Sequence, residues 1–448
     1  MQRQRGSALR AELIPRFESA WKRSDALFAC IAPDALLTRP IKLRQPFLFY
    51  LGHLPAFAWN QVGRGVLGRP ALDERFDKLF ARGIDPVGVD ATAEVDPSSW
   101  PAAPEVRAYR DKVRDEIRGS FEEVEKHAPG DVLAEQGRIY RLVLEHEWQH
   151  HETLLYMIHE LAHTSKIVPA GTASPVLEIA GEAPREVAVP AGRVRLGADF
   201  DSVVFGWDNE FPSHEVQVAE FAIDALPVTN AEFARFVEAG GYRKPAAWSP
   251  DGWVWRLRRL MDHPHAWRKV GHRYLVRTLF EDVKFDVAAD WPACVSWAEA
   301  DAYARWRGRR LPTEAEWHRA AHATPAGPDR EHPWGDATPV AAHGNFDLRT
   351  THPKPVGTHK AGVSAFGVHD LVGDGWEWTE TPFGPFDGFE AWARTYPGYS
   401  QDFFDGKHFV LLGASWATDH SLIRRSFRNW YRPHFPYPFT KFRTVART

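Results

Sequence analysis

The chain has 448 residues, too many for one ordinary hydrophobic core, so two or three domains are expected. Lys and Arg number 55 against 59 Asp and Glu, a formal charge of −4, which predicts no nucleic-acid or membrane surface. Two cysteines, Cys30 and Cys294, cannot build a disulfide framework. No apolar run is long enough to span a bilayer, and nothing apolar follows Met1-Gln2-Arg3-Gln4-Arg5-Gly6, so a cytoplasmic protein without a signal peptide is expected. The 19 Trp cluster after residue 200 and point to large aromatic packing in a loop-rich fold, or to a ring-walled ligand pocket.

In chain order, Ala8–Leu27 carries Leu9, Leu13, Phe17 and Trp21 at helical spacing, with Pro15 predicting a kink or a later helix start. Phe47–Trp59 continues apolar. Glu105–Glu125 alternates charge along a helical pattern, and Asp131–His163 forms a further helix. Successive amphipathic helices predict a bundle over residues 1–165, and bundle interiors can hold metal sites built from facing helices. Residues 166–184 read as a connector and residues 185–448 as a second domain. There, Val187 to Gly197 reads as short strand, turn, short strand. Helices are expected at Asn230–Ala239, capped by Thr229, and at Trp297–Arg307, capped by Ser296 with Glu299 at the capping-box position. Much of the rest is loop punctuated by Trp, Gly and Pro.

The run His146-Glu147-Trp148-Gln149-His150-His151-Glu152 carries the most chemistry. His146 and His150 are four apart, so on a helix their imidazoles share one face and can serve one metal ion. His53 could supply a third nitrogen. Three neutral nitrogen ligands leave positions open for substrate or dioxygen. The same spacing also fits a His-rich surface or core helix, and His151, His159 and His163 lie close by.

The second half carries Pro227-Val228-Thr229-Asn230, Val295-Ser296-Trp297, Arg310-Leu311-Pro312-Thr313-Glu314-Ala315-Glu316-Trp317, Asp370 to Thr379, and Gly413-Ala414-Ser415-Trp416. In that order these resemble the formylglycine-generating-enzyme-like (sulfatase-modifying-factor) fold, a loop-rich, C-type-lectin-like α/β domain. The first half, with His53 and His146-x-x-x-His150-x-Glu152, resembles a DinB-type four-helix bundle. The pairing gives an α+β multidomain chain and is similar to the ergothioneine sulfoxide synthases (EgtB-like) and their ovothiol and selenoneine synthase relatives.

The resemblance implies a mononuclear non-heme iron, Fe(2+), held by His53, His146 and His150. It implies that Gln149 helps hold hercynine, the trimethylated betaine of histidine. It implies that Asn429 and Trp430 meet the trimethylammonium end, where an aromatic face suits a cation that has no N–H to donate. Core packing is the alternative reading of Trp430. A tyrosine serves as proton donor in the family, and both Tyr396 and Tyr399 stand at the matching place. The reaction implied joins sulfur or selenium to imidazole C2 with O2 as a substrate.

Two departures bear on the donor. Mycobacterial-type members grip a donor's carboxylates with arginines from the loop between the first two His ligands, whereas Gly83 to Val106 here contains no Lys or Arg. Those members also have an Asp after the Asn-Trp pair, where this chain has Tyr431. Losing Arg forks and leaving Trp100, Ser98, Ser99 and Tyr431 suits a less charged donor, the selenosugar of the selenoneine branch. Arg82, Arg107, Arg425 or Arg432 could instead supply the cation for cysteine or γ-glutamylcysteine. Three further readings are a formylglycine-generating oxidase, disfavoured by Cys294 being the sole cysteine of the second half, a zinc-dependent DinB-type thiol transferase, and an inactive ligand-binding protein.

Overall fold

The computed structural model describes residues 2–81, 99–128, 130–179, 183–392, 396 and 398–446. It divides into two compact units, Met1–Thr172 with Ala393–Tyr396, and Ala173–Trp392 with Pro397–Thr448.

The first unit is helical: α1 (Gln2–Ala29), α2 (Phe47–Trp59), α3 (Glu74–Leu79), α4 (Ala103–Gly119), α5 (Phe121–His127) and α6 (Arg138–Glu160). Helix α1 packs on α5 and α6, and α2 packs on α4 and α6, which makes a bundle. Helix α2 has the expected bounds and is buried along its whole length. Helix α1 runs unbroken through Pro15. Pro15 and Ala11, whose carbonyl loses its helical partner, are both exposed, so water can serve that oxygen and the helix persists. Helix α6 begins later than expected because Gln136 (φ 52) and Gly137 (φ 63) are left-handed. A side chain on Gly137 would meet Leu9 at 2.8 Å. The charged helix 105–125 is two helices, broken at buried Ser120, whose hydroxyl donates to the Ile117 carbonyl and lies 2.7 Å from the Tyr140 hydroxyl.

The second unit contains β1 (Glu186–Val189), β2 (Gly192–Leu196), β3 (His214–Val218), β4 (Phe221–Asp224), α7 (Asn230–Glu238), α8 (Pro250–Arg258), β5 (Trp267–Val270), β6 (Arg273–Arg277), β7 (Asp282–Lys284), α9 (Phe285–Ala288), α10 (Trp297–Trp306), β8 (Arg309–Arg310), α11 (Glu314–His322), β9 (Gly375–Pro382), β10 (Phe409–Ala414), β11 (Asn429–Tyr431), β12 (Thr440–Lys441) and β13 (Val445–Ala446). Its sheets have the orders β1-β4-β13-β8, β11-β10-β9-β12, β2-β3 and β5-β6-β7. A core that includes Val189, Val194, Val218, Ile223, Trp317, Leu371, Val410 and Val445 joins the first three. The expected capping box forms at Ser296/Glu299, and the expected cap Thr229 also forms a full box with Glu232.

Strands β1 and β2 do not pair with each other. β1 runs antiparallel to β4 and β2 to β3. The Arg319 guanidinium holds the connection between them, donating to the carbonyls of Pro190 (3.0 Å), Arg193 (2.9 Å) and Ala191 (3.2 Å).

Candidate metal centre

His53 projects from the middle of α2, and His146 and His150 from successive turns of α6, the helix packed on it. Their rings are no more than 3% exposed. Ring centres are 5.1 Å apart for His53 and His146, 5.0 Å for His53 and His150, and 4.4 Å for His146 and His150. One ring nitrogen from each lies within 4.8 Å of the other two. His53 Nε2, His146 Nε2 and His150 Nδ1 are buried without a hydrogen-bond partner. Three orphaned nitrogens in an apolar interior are unfavourable unless something meets them. A metal ion fits, since the donor set is three imidazoles with further positions open.

Burial pushes His53 down to about 4, partly opposed by its bond to the Phe80 carbonyl. His146 and His150 lie well below the ordinary histidine value, through burial first and then the neighbouring histidines. All three are therefore neutral near pH 7, the form that ligates a metal.

Aromatic rings surround the cluster. Phe49 stacks on His53 at 5.0 Å and Phe57 on His146 at 3.5 Å. Phe49, His53 and Phe57 are spaced four apart on α2, a signal present in the sequence and passed over because apolar spacing is ordinarily core. Tyr396 also belongs to this unit. Its ring lies 5.4 Å from Phe57 and 6.1 Å from His146. Trp100 packs against Phe49 and Phe80, each at 6.4 Å. Gln149 is half-buried on α6 beside His150.

The other histidines of α6 do not join the cluster. The Ser24 hydroxyl donates to Glu147 at 2.6 Å and lies 2.8 Å from His151 Nε2. His159 is 3.2 Å from Glu160. The core and surface reading thus holds for these neighbours. Glu152 is buried but is not one of the clustered ligand groups.

In the second unit, Asn429, Trp430 and Tyr431 form β11. Alternation along a strand puts Trp430 on one face and Asn429 and Tyr431 on the other. Phe383 covers a face of Trp430 at 4.2 Å and 7°, and Tyr399 meets it edge-on at 5.3 Å. Tyr399 itself stacks on Trp207 at 4.0 Å. Tyr431 stacks on Phe435 at 5.6 Å. Of the alternative arginines, Arg425 is 3.7 Å from Asp329 and Arg107 is half-buried on α4. Arg82 and Ser98, with most of the loop that bears on the donor, fall outside the described residues.

Residues 16–154 match the DinB superfamily model, and residues 174–448 match the sulfatase-modifying factor enzyme 1-like domain. The chain is 38% identical over 340 residues to a hercynine oxygenase of Mycolicibacterium smegmatis, spanning 73% of this chain and 74% of that protein. The chain belongs to the hercynine oxygenase (EgtB-like) family. It is 31% identical over 510 residues to ergothioneine biosynthesis protein 1 of Neurospora crassa, covering 96% of this chain and 57% of the fungal protein. A formylglycine-generating enzyme of Mycobacterium tuberculosis is 35% identical over 229 residues, 44% of this chain. Family membership makes this chain an oxidative enzyme with a DinB-type helical part and a formylglycine-generating-enzyme-like α+β part. Among the described residues no helix is long and apolar enough to cross a membrane.

Proposed function

We propose that this chain is an O2-dependent iron enzyme that joins a selenium or sulfur donor to imidazole C2 of hercynine. The observation that carries the reading is the trio of buried, neutral imidazoles with unpartnered nitrogens on α2 and α6. Kinship with proteins named hercynine oxygenase supports the substrate. His53, His146 and His150 would hold the metal. Iron(II) in that set would activate O2, the oxidant that takes up the electrons released in forming the C–S or C–Se bond.

The remaining work falls to the chain's own groups. Gln149, beside His150 on α6, orients hercynine. Phe49 and Phe57 exclude water from the imidazole faces. Tyr396 holds the proton to be delivered, since a phenol, with an ordinary pKa of about 10, stays protonated at neutral pH. Its ring stands 6.1 Å from His146, whereas Tyr399 is stacked on Trp207, which favours Tyr396 for the role. Replacing Tyr396 with Phe is expected to lower kcat at least about 100-fold with the hercynine KM little changed, while Tyr399→Phe stays near wild type. Steady-state kinetics of both variants checks this, and a loss confined to Tyr399→Phe transfers the role.

Trp430, with Asn429 and Tyr431 beside it on β11, is assigned to substrate. A desolvated cation over an indole face is worth about 2 kcal/mol. Trp430→Ala should therefore raise the hercynine KM by roughly tenfold or more, with a smaller change in kcat. An unchanged KM would return Trp430 to the packing role its contact with Phe383 also fits.

The donor has two readings, each with its own support. Residues 83–106 contain no Lys or Arg but do contain Asp85, Asp90, Glu94, Asp96 and Glu105, a composition that suits an uncharged selenosugar better than a donor with carboxylates. Similarity to ergothioneine biosynthesis proteins supports cysteine or γ-glutamylcysteine instead.

A further inference from the structure

Helix α2 carries a glycine in its interior, Gly52, next to the ligand candidate His53. Interior glycine is unfavourable in a helix relative to alanine, and Gly52 has no left-handed backbone to require it. The reason is space. A Cβ at position 52 would lie 2.3 Å from Phe80 Cε2, 2.4 Å from Cζ and 2.5 Å from Cδ2. The Phe80 ring is fully buried and ringed by Phe49 (6.2 Å), Phe76 (5.6 Å) and Trp100 (6.4 Å), so it has nowhere to retreat.

The backbone of the same residue holds His53. His53 Nδ1 lies 2.7 Å from the Phe80 carbonyl. A carbonyl only accepts, so Nδ1 carries the proton and the lone pair of the neutral ring is at Nε2. Nε2 is the atom left without a partner in the cluster. Phe80 is the C-cap of α3, and the last carbonyls of a helix have no intrahelical donor, so this oxygen is available to the imidazole.

We infer that Phe80, seated against Gly52, is a positioning residue for the metal centre. Its ring fixes where its carbonyl sits, and that carbonyl sets the tautomer and angle of His53. The inference rests on the metal reading above and goes beyond it by assigning roles to two residues that meet no substrate. Outer partners of metal-bound histidines contribute about 10–100-fold to metal affinity.

The test is Co(II) titration of the full apo chain, read by visible ligand-field absorption, with circular dichroism to verify folding. Wild type should bind one equivalent and His53→Ala should lose it. If wild type binds no Co(II), the metal reading fails and this inference with it. Given that binding, Gly52→Ala should weaken Co(II) affinity by about 10–100-fold and alter the absorption bands while the helical content is kept. A folded Gly52→Ala protein with wild-type affinity and spectrum would overturn the inference and leave the metal reading standing. If Gly52→Ala does not fold, Phe80→Leu decides. It keeps the carbonyl but loses the seated ring, and weaker binding supports the inference, whereas unchanged binding and spectrum overturn it.

Discussion

Replacing His150 with alanine is expected to abolish turnover and to remove the bound metal together, with the bundle still folded. The three imidazoles lie close enough that removing one leaves a two-nitrogen site. Metal affinity should fall by more than the roughly 100-fold that loss of an outer partner alone can bring. The fold should survive because alanine is the best helix former and the lost ring nitrogen, Nδ1, has no hydrogen bond to give up. Metal analysis and circular dichroism on the purified variant check both halves. Full metal loading with turnover would remove His150 from the ligand set, and an unfolded protein would show the ring to be structural.

The largest stability effect is expected at the ion pair inside the second unit. Arg443 and Glu377 are both fully buried. Nε and Nη2 of Arg443 donate to Oε1 and Oε2 of Glu377 at 2.5 and 3.0 Å. The same guanidinium also donates to the carbonyls of Asp224, Ala225 and His369. Arg443→Met strands a carboxylate in the core and three carbonyls beside it. Breaking a buried pair from one side is worth about 3–5 kcal/mol. Urea unfolding followed by Trp fluorescence reports on this unit, since most of the 19 Trp are in it. Adding Glu377→Leu to Arg443→Met should recover part of the loss, because the charge is then no longer buried unpaired. A single variant within 1 kcal/mol of wild type would mean that water reaches Glu377.

The parts of this molecule legible in the sequence are those fixed by local spacing. His146 and His150 declare a shared helix face through their separation of four, and Thr229 and Ser296 declare their helices through capping boxes that form. Helix α2 was legible because thirteen successive residues are apolar enough to be buried along their whole length. What was not legible depends on distant partners. That β1 takes β4 and β2 takes β3, rather than each other, depends on strands further along the chain. The late start of α6 follows from Gln136 and Gly137 turning left-handed against Leu9. Tyr396 and Tyr399 are told apart by their neighbours, which include His146 and Phe57 for one and Trp207 and Trp430 for the other. Sorting the histidines of α6 likewise needed Ser24, which sits on α1 and binds His151 away from the cluster.

The most direct test is one competition assay. Anaerobically iron-loaded protein receives hercynine, then O2, with equal selenosugar, cysteine and γ-glutamylcysteine, and products are read by mass. The prediction is O2-dependent consumption of hercynine with a new selenium or sulfur substituent at C2. A selenium adduct assigns the selenosugar, and a cysteine-bearing sulfoxide assigns the ergothioneine-type donor. Hercynine left unchanged by iron-loaded, folded protein under O2 would contradict the account.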